Sequence, residues 1–287
     1  MNSGRLRALF DSYAPAQMAK RVVEVGVTKA RLSVPDSMAL AVLAGAFIGL
    51  GAAFATLATT GSEAGFGPTR VLGGVAFSLG LILVVVAGAE LFTGNNLVAM
   101  AWASRRITTR EMMRNWTLVY AGNLIGGVGT AVLVFWTGSW TADGGAVGVN
   151  AVQLAAFKSS MGFGEAFARG VLCNALVCLA VWLCQSARST TDKILAIIWP
   201  ISAFVALGFE HSVANMYFIP LGILLGTEPE VLGAAAAGGA PTDSLDLMGF
   251  ASNLVPVTLG NIVGGTLLVA AVYWFIYLRA ENRVVEA

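Results

Sequence analysis

The sequence predicts an all-α integral membrane protein of six transmembrane helices, arranged as two inverted three-helix repeats with the second and fifth helices interrupted. Three observations predict it. The 287 residues are 57% hydrophobic and 11% charged, with a mean hydropathy of +0.77; a soluble domain carries roughly twice that charge. Six runs are long enough and free enough of charge to cross a bilayer, which takes about 20 apolar residues as helix. Two polar motifs recur in the same order, once in each half of the chain.

Residues 1–35 are charged throughout, lack a continuous apolar stretch and offer no clear cleavage site, so they do not read as a signal peptide. Leu6, Leu9, Phe10, Tyr13 and Met18 fall at roughly helical spacing, which predicts an amphipathic segment on the inner surface. The first span, Met38–Leu57, is a 20-residue run without charge. The second run, Val71–Ala103, holds 33 residues and one charge, Glu90. It is too long for one straight crossing and too short for two. Trp116–Trp140 is the uncharged third span, followed by an outer loop, Thr137–Glu165, with Lys158 the base in its middle. Gly170–Ala187 is the fourth span and contains Cys173, Cys178 and Cys184. Their spacing fits no paired metal or redox motif, and they read as small apolar packing residues. The fifth run, Ile194–Thr227, has 34 residues and the same length problem as the second. Gly226–Leu247, with "GAAAAGGAPTD", reads as a flexible outer connection. Leu247–Leu278 is the uncharged sixth span. The organisation is an N-terminal segment at 1–35, a six-span domain at 36–278 with halves of about 36–140 and 163–278, and a tail at 279–287.

"GAELFTGNN" (Gly88–Asn96) and "GFEHSVANM" (Gly208–Met216) share Gly88, Glu90 and Asn95 against Gly208, Glu210 and Asn215. "GNLIGG" (Gly122–Gly127) is matched by "GNIVGG" (Gly260–Gly265). Three spans per half is an odd number, so the second half enters from the opposite side, as in transporters built on inverted repeats. Fourteen of the 17 Lys and Arg residues fall in 1–35, 104–115, 188–193 and 279–287, leaving Arg70, Lys158 and Arg169 on the other side. The positive-inside rule then puts both termini in the cytoplasm and the chain in the cytoplasmic (inner) membrane. Gly122, Gly126, Gly260 and Gly264 are spaced for close helix packing. The bases flank spans and form no aromatic-interleaved patch, so no nucleic-acid partner is expected.

A carboxylate at the centre of a spanning helix costs roughly 2.5–3.5 kcal/mol on insertion scales, so Glu90 and Glu210 are not idle. Their shared repeat position predicts that they brace backbone groups freed where each helix breaks. "FTGNN" at 92–96 is a helix breaker inside an apolar run and should face a pathway, Thr93 offering a hydroxyl and freed N–H groups offering donors to an anion. His211 is the one histidine of the chain, and Leu91 takes its place in the first half. A lone histidine is most often a satisfied core residue. Its position beside a break at membrane depth favours a transport role, trading a proton with a passing weak-acid anion. Lys158 reads either as a solvated loop lysine or as an electrostatic lure at a vestibule.

At "AELFTGNN" (89–96), "NWTLVYAGNLIGG" (115–127), "LCNALVCLAVW" (172–182), "GFEHSVANMYFIP" (208–220) and "NLVPVTLGNIVGG" (253–265) the chain resembles the formate/nitrite transporter family, in its formate-channel branch. The resemblance covers essentially the whole chain. It implies a homopentamer of aquaporin-like protomers in membrane lipid, each with its own pore for formate or another small monovalent anion and for protons. It implies pathway roles for Thr93, Lys158 and His211 and for the polar helix asparagines Asn174 and Asn261. Apolar constrictions would lie at Phe77, Leu81, Phe92, Val177 and Phe204, and residues 1–35 would help gate the inner mouth as pH falls. Formate ranks first and nitrite second, with hydrosulfide, acetate and lactate still open. No cofactor or metal is expected.

Rival classes fare worse. Asn-Pro-Ala, the paired signature of aquaporins, occurs nowhere. An ammonium transporter uses two pore histidines. For a membrane-embedded enzyme, His211–Ser212 offers half of a Ser/His pair, but no G-x-S nucleophile motif lies at helix depth, and one histidine cannot build a His-rich metal site. The chain reads as a channel or carrier rather than an enzyme.

Overall fold

The computed structural model describes residues 12–280, which form helices and connecting turns and no strand. In chain order the helices are α1 (Pro15–Ala30), α2 (Val34–Thr59), α3 (Phe66–Ala87), α4 (Ala99–Ala103), α5 (Thr109–Trp136) and α6 (Ala146–Ser159). They continue as α7 (Phe163–Cys184), α8 (Thr190–Ala206), α9 (Ser212–Leu225), α10 (Pro229–Ala237) and α11 (Leu247–Tyr277). Local chemistry sets the starts. Ser33 accepts the Asp36 amide at 3.2 Å to open α2, while Thr108 with Glu111 and Ser189 with Asp192 form capping boxes that open α5 and α8.

Five helices, α2, α3, α5, α7 and α11, are long and apolar enough to cross a membrane. The fifth run is divided between α8 and α9, of 17 and 14 residues. The second run is divided unequally. α3 takes 22 residues, and beyond the break lie only a 3-10 turn, Gly94–Val98, and the five residues of α4. Each leading helix ends at a glycine in the left-handed region, Gly88 at φ 86° and Gly208 at φ 72°, where a Cβ would be strained.

α2 packs on α5 and α3, α7 packs on α11 and α8, α3 meets α8, and α9 runs against α5 and α6. The small residues permit this. A methyl on Gly126 would press the Val42 carbonyl, and one on Gly264 the Val171 carbonyl, so these helices touch at backbone distance.

Several sequence expectations need correction. The Thr137–Glu165 segment is not an open loop, because 146–159 form α6 and Lys158 lies in its last turn. Arg70 and Arg169 lie inside α3 and α7 rather than between spans. Counting uncharged residues stops at the first charge, whereas a helix continues wherever that charge finds partners. Gly226–Leu247 holds α10 and a 3-10 turn, Thr242–Ser244, since its alanines are strong helix formers. The N-terminal segment turns its apolar face onto the protein. Met18, Ala19, Val22, Val23 and Gly26 are buried, and α1 packs on the Gly94–Val98 turn and α4. Leu6, Leu9 and Phe10, and the tail from 281, lie outside the described residues.

Candidate functional site

Each break is held by a ring of buried polar groups. In the first half, Glu90 Oε1 accepts from Lys29 Nζ at 2.6 Å and Oε2 accepts from Asn95 Nδ2 at 2.7 Å. Asn95 Nδ2 also donates to Asn115 Oδ1 at 3.1 Å, and Asn115 Nδ2 donates back to the Lys29 carbonyl at 3.1 Å. In the second half, Lys158 Nζ donates to Glu210 Oε1 and Asn215 Nδ2 to Glu210 Oε2, both at 2.7 Å. Asn215 Nδ2 donates to Asn253 Oδ1 at 2.7 Å, and Asn253 Nδ2 to the Lys158 carbonyl at 2.8 Å. One order of partners serves both halves.

Behind each ring stands one more asparagine. Asn123 Oδ1 accepts the Phe92 amide at 2.9 Å, while its Nδ2 donates to the carbonyls of Glu90 and Ala41 at 2.9 and 2.7 Å. Asn261 Oδ1 accepts the Ser212 amide at 2.9 Å, while its Nδ2 donates to the carbonyls of Glu210 and Gly170 at 3.0 and 2.8 Å. A carboxamide supplies two donors and one acceptor in a plane. It therefore satisfies two backbone groups that each break would otherwise strand without water, an amide and a carbonyl, and ties the break to a carbonyl of the continuous helix beside it, Ala41 of α2 or Gly170 of α7.

The motifs also differ: Phe92 answers Ser212, Asn96 answers Met216, and two further differences meet at the centre. Thr93 stands where the second half has Val213, and His211 stands where the first has Leu91. These two polar residues meet, Thr93 Oγ1 lying 2.9 Å from His211 Nε2. The Ala214 amide donates to His211 Nδ1 at 3.0 Å, so the imidazole is also the N-cap of α9. A backbone amide can only donate. Nδ1 is thus the acceptor nitrogen, and the neutral ring carries its proton on Nε2, directed at the Thr93 hydroxyl. Asn174 Nδ2 ties the halves together, donating to the Thr93 and Asn261 carbonyls at 3.2 and 2.7 Å and to Asn96 Oδ1 at 2.8 Å. Gly265 makes room for it. A Cβ there would meet Asn174, Asn96 and Cys178, within a π-helical stretch of α11, Gly264–Ala271, of the kind often found at functional sites.

Two cavities approach this centre. One, of about 400 Å³, lies on the α6 side and is walled by Phe77, Lys158, Phe204, Glu210 and His211. The other, of about 480 Å³, lies on the α1 side and is walled by Lys29, Leu81, Glu90 and Asn95. Phe77 and Phe204 meet edge to face at 5.7 Å, and Phe204 stacks on His211 at 5.9 Å. Phe92 and Val177 are buried and belong to neither wall; Phe92 packs edge-on against Tyr120 at 4.9 Å.

The structure thus brings Thr93, Asn174, His211 and Asn261 into one hydrogen-bonded cluster and joins Lys158 to Glu210. Asn96 and Asn123 stood in the quoted motifs without a role of their own, and Lys29, Asn115 and Asn253 were given none. For three of them a signal existed: Asn115 and Asn123 are eight residues apart, as are Asn253 and Asn261.

The formate/nitrite transporter family model matches residues 16–275. The chain belongs to that family. The formate channel FocA of Escherichia coli K12 is 45% identical over 280 residues, covering 96% of this chain and 98% of the relative. A probable formate transporter of Methanothermobacter thermautotrophicus is 39% identical over 283 residues, covering 93% and 97%. Among solved structures, a pentameric formate channel with formate bound matches at a TM-score of 0.78 and 46% identity, covering 86% of this chain and 98% of that one. Membership of this transporter family, with the apolar helices, makes the chain a membrane protein.

Proposed function

We propose that this family member is a pH-dependent channel or carrier for small monovalent weak-acid anions, with formate as its first substrate. It would sit in the inner membrane with both termini in the cytoplasm, as a homopentamer with one pore per protomer. The observation that carries the reading is the contact of Thr93 with His211 where the two breaks meet, beside a cavity that reaches His211. The named formate channels among the relatives support the substrate, and the pentameric one supports the assembly. The matched rings support two inverted repeats, with the α6 cavity outer and the α1 cavity inner.

An anion is drawn toward Lys158, whose charge is partly balanced by Glu210, and loses water between Phe77 and Phe204. It then meets the Thr93 hydroxyl, which accepts from His211 and so has its own proton to donate. Charging the imidazole would set a second ring N–H against the Ala214 amide. The charged ring therefore forms only as Nδ1 leaves its cap. That ring, having taken a proton from outer-cavity water at Nδ1, gives its Nε2 proton to the anion and is neutral with its proton on Nδ1. It caps α9 again once the Nδ1 proton is lost to water and Nε2 is reprotonated. The neutral acid crosses the apolar slit at Leu81, Phe92 and Val177 and releases the proton on the far side, so one proton accompanies each anion. Asn174, Asn261 and the two glutamates hold the geometry. α1, whose Arg21, Glu24 and Lys29 wall the inner cavity, is the gate.

Flux in liposomes tests this. Formate, nitrite, lactate and glycerol are compared at neutral and acidic outside pH. Formate should pass fastest, glycerol should be excluded, and anion rates should change with pH. Faster nitrite would reassign the substrate within the family. Glycerol passage, or no anion flux, would overturn the proposal.

A further inference from the structure

The α6-side cavity carries more positive charge than the lysine in its wall supplies. Arg70 and Arg169 also line it, and they face one another across Gly208. A Cβ built on that glycine would lie 2.8 Å from Arg70 Nη2 and 3.2 Å from Arg169 Nη1. Arg70 donates from Nε to the Ala206 carbonyl at 3.0 Å and from Nη2 to the Val205 carbonyl at 3.2 Å. Arg169 donates from Nη1 to the Gly208 carbonyl at 2.8 Å and pairs through Nη2 with Glu165 at 2.6 Å. A guanidinium has five N–H donors in a rigid fork. Arg70 keeps Nη1 clear of its carbonyl bonds, and Arg169, although also paired with Glu165, keeps Nε and one N–H on each terminal nitrogen, so each retains donors for the cavity it lines.

The other half separates this arrangement from simple bracing. The Glu210 amide donates to the Arg169 carbonyl at 3.3 Å, and the Glu90 amide donates to the Leu40 carbonyl at 3.2 Å. Arg169 and Leu40 therefore hold the same place at the two breaks. A leucine suffices at the α1-side break, so holding the break does not require a guanidinium. Around Gly88, the counterpart of Gly208, a Cβ would meet nothing within 4 Å. The α1-side cavity has cations of its own, Arg21, Lys29 and Lys193, but none flanks Gly88 as Arg70 and Arg169 flank Gly208, and the Arg169 side chain is 38% exposed.

We propose that Arg70 and Arg169 form an anion subsite at the outer mouth, taking one small planar carboxylate or oxyanion before it reaches Lys158 and His211. Two guanidinium edges converging on one gap match the paired oxygens of a carboxylate. The inference deepens the anion-channel reading and rests on it for the direction of entry.

The experiment reads binding and transport separately. Formate binding to the solubilised oligomer is measured by calorimetry, and formate flux is measured with substrate on either side of the membrane. Arg169→Gln keeps an N–H for the Gly208 carbonyl but removes the charge, and Arg70→Gln does the same at its carbonyls. Each should weaken formate binding and raise the ratio of outer to inner half-saturating concentration roughly tenfold, with Arg169→Lys recovering most of the loss. If the parent protein moves formate while both Gln variants keep its binding and its ratio, the subsite is overturned and the channel stands. If the parent binds formate through Arg169 but moves none, the channel reading fails and the subsite stands. Should the Gln variants not assemble, arginine modification by phenylglyoxal in the parent decides. Formate should protect Arg70 and Arg169, and equal labelling with and without formate overturns the proposal.

Discussion

The break at Gly88–Thr93 and the break at Leu207–His211 share a hydrogen-bond plan but not a chemistry. In both, a lysine, a glutamate and two asparagines close a ring, and a third asparagine takes up the freed backbone. The fittings differ. Lys29 Nζ also reaches Asn95 Oδ1 at 3.0 Å, whereas Asn215 Oδ1 has no hydrogen-bond partner among the described residues. The Lys29 side chain is 26% exposed and that of Lys158 15%. Most of all, Leu91 answers His211 and Val213 answers Thr93. What the halves share is scaffold, and what they do not share is the pair of positions to which the proposed function assigns protons and anions.

The largest test of that division removes a ring carboxylate. Glu210→Leu and Glu90→Leu each strand a lysine beside a buried ring, a change that costs about 3–5 kcal/mol for buried pairs. Lys158 is the more buried and lacks the second side-chain acceptor that Lys29 has, so Glu210→Leu should lower the melting temperature of the oligomer further. The reverse order would break the ranking. A Glu→Gln variant of either that assembles well but changes anion preference would move the glutamates from bracing to selectivity.

Next come the asparagines behind the rings. Asn123→Ala and Asn261→Ala each orphan two backbone groups at a break, at about 1–3 kcal/mol per buried orphan. Equal losses in denaturation midpoint are expected. A clear inequality would show that one half, not the plan, carries the stability.

The glycines sharpen the comparison further. Gly88→Ala and Gly208→Ala both place a Cβ at positive φ, worth about 1–2 kcal/mol. Only at 208 does the methyl also press two guanidiniums, so Gly208→Ala should destabilise more and weaken outer formate entry. Matching effects on thermal stability would rule out the steric difference between the two breaks.

The smallest effect should come from the caps, which lie outside the shared plan. Thr108→Ala and Ser189→Ala each lose a capping box at about 1 kcal/mol. Hydrogen exchange should speed up in the first turns of α5 and α8 and leave the two rings protected. Loss of protection at the rings would mean that the caps and breaks open as one unit.

The positions of the breaks were legible in the sequence because glutamate, asparagine and glycine clustered inside an apolar run are costly in a continuous spanning helix and suit an interrupted one. His211 and Thr93 stood out for the same reason. Lys29 did not, since a lysine in a charged N-terminal segment looks solvated until the fold brings it within 2.6 Å of Glu90. Arg70 and Arg169 were misplaced because hydropathy counts a charge as the end of a span, while the carbonyls that both arginines grip are more than 30 residues away in the chain. The tautomer of His211 was invisible too, because it depends on a helix starting at Ser212 and turning the Ala214 amide toward the ring.

The most direct test of proton exchange at His211 is the pH profile of formate flux for the parent and for His211→Asn. Asparagine caps helices well, so it retains an acceptor for the Ala214 amide, but it does not titrate. The expected result is an assembled channel whose flux no longer follows outside pH as the parent's does. An unaltered pH profile in the variant would contradict proton exchange at His211 and leave the histidine as the cap of α9.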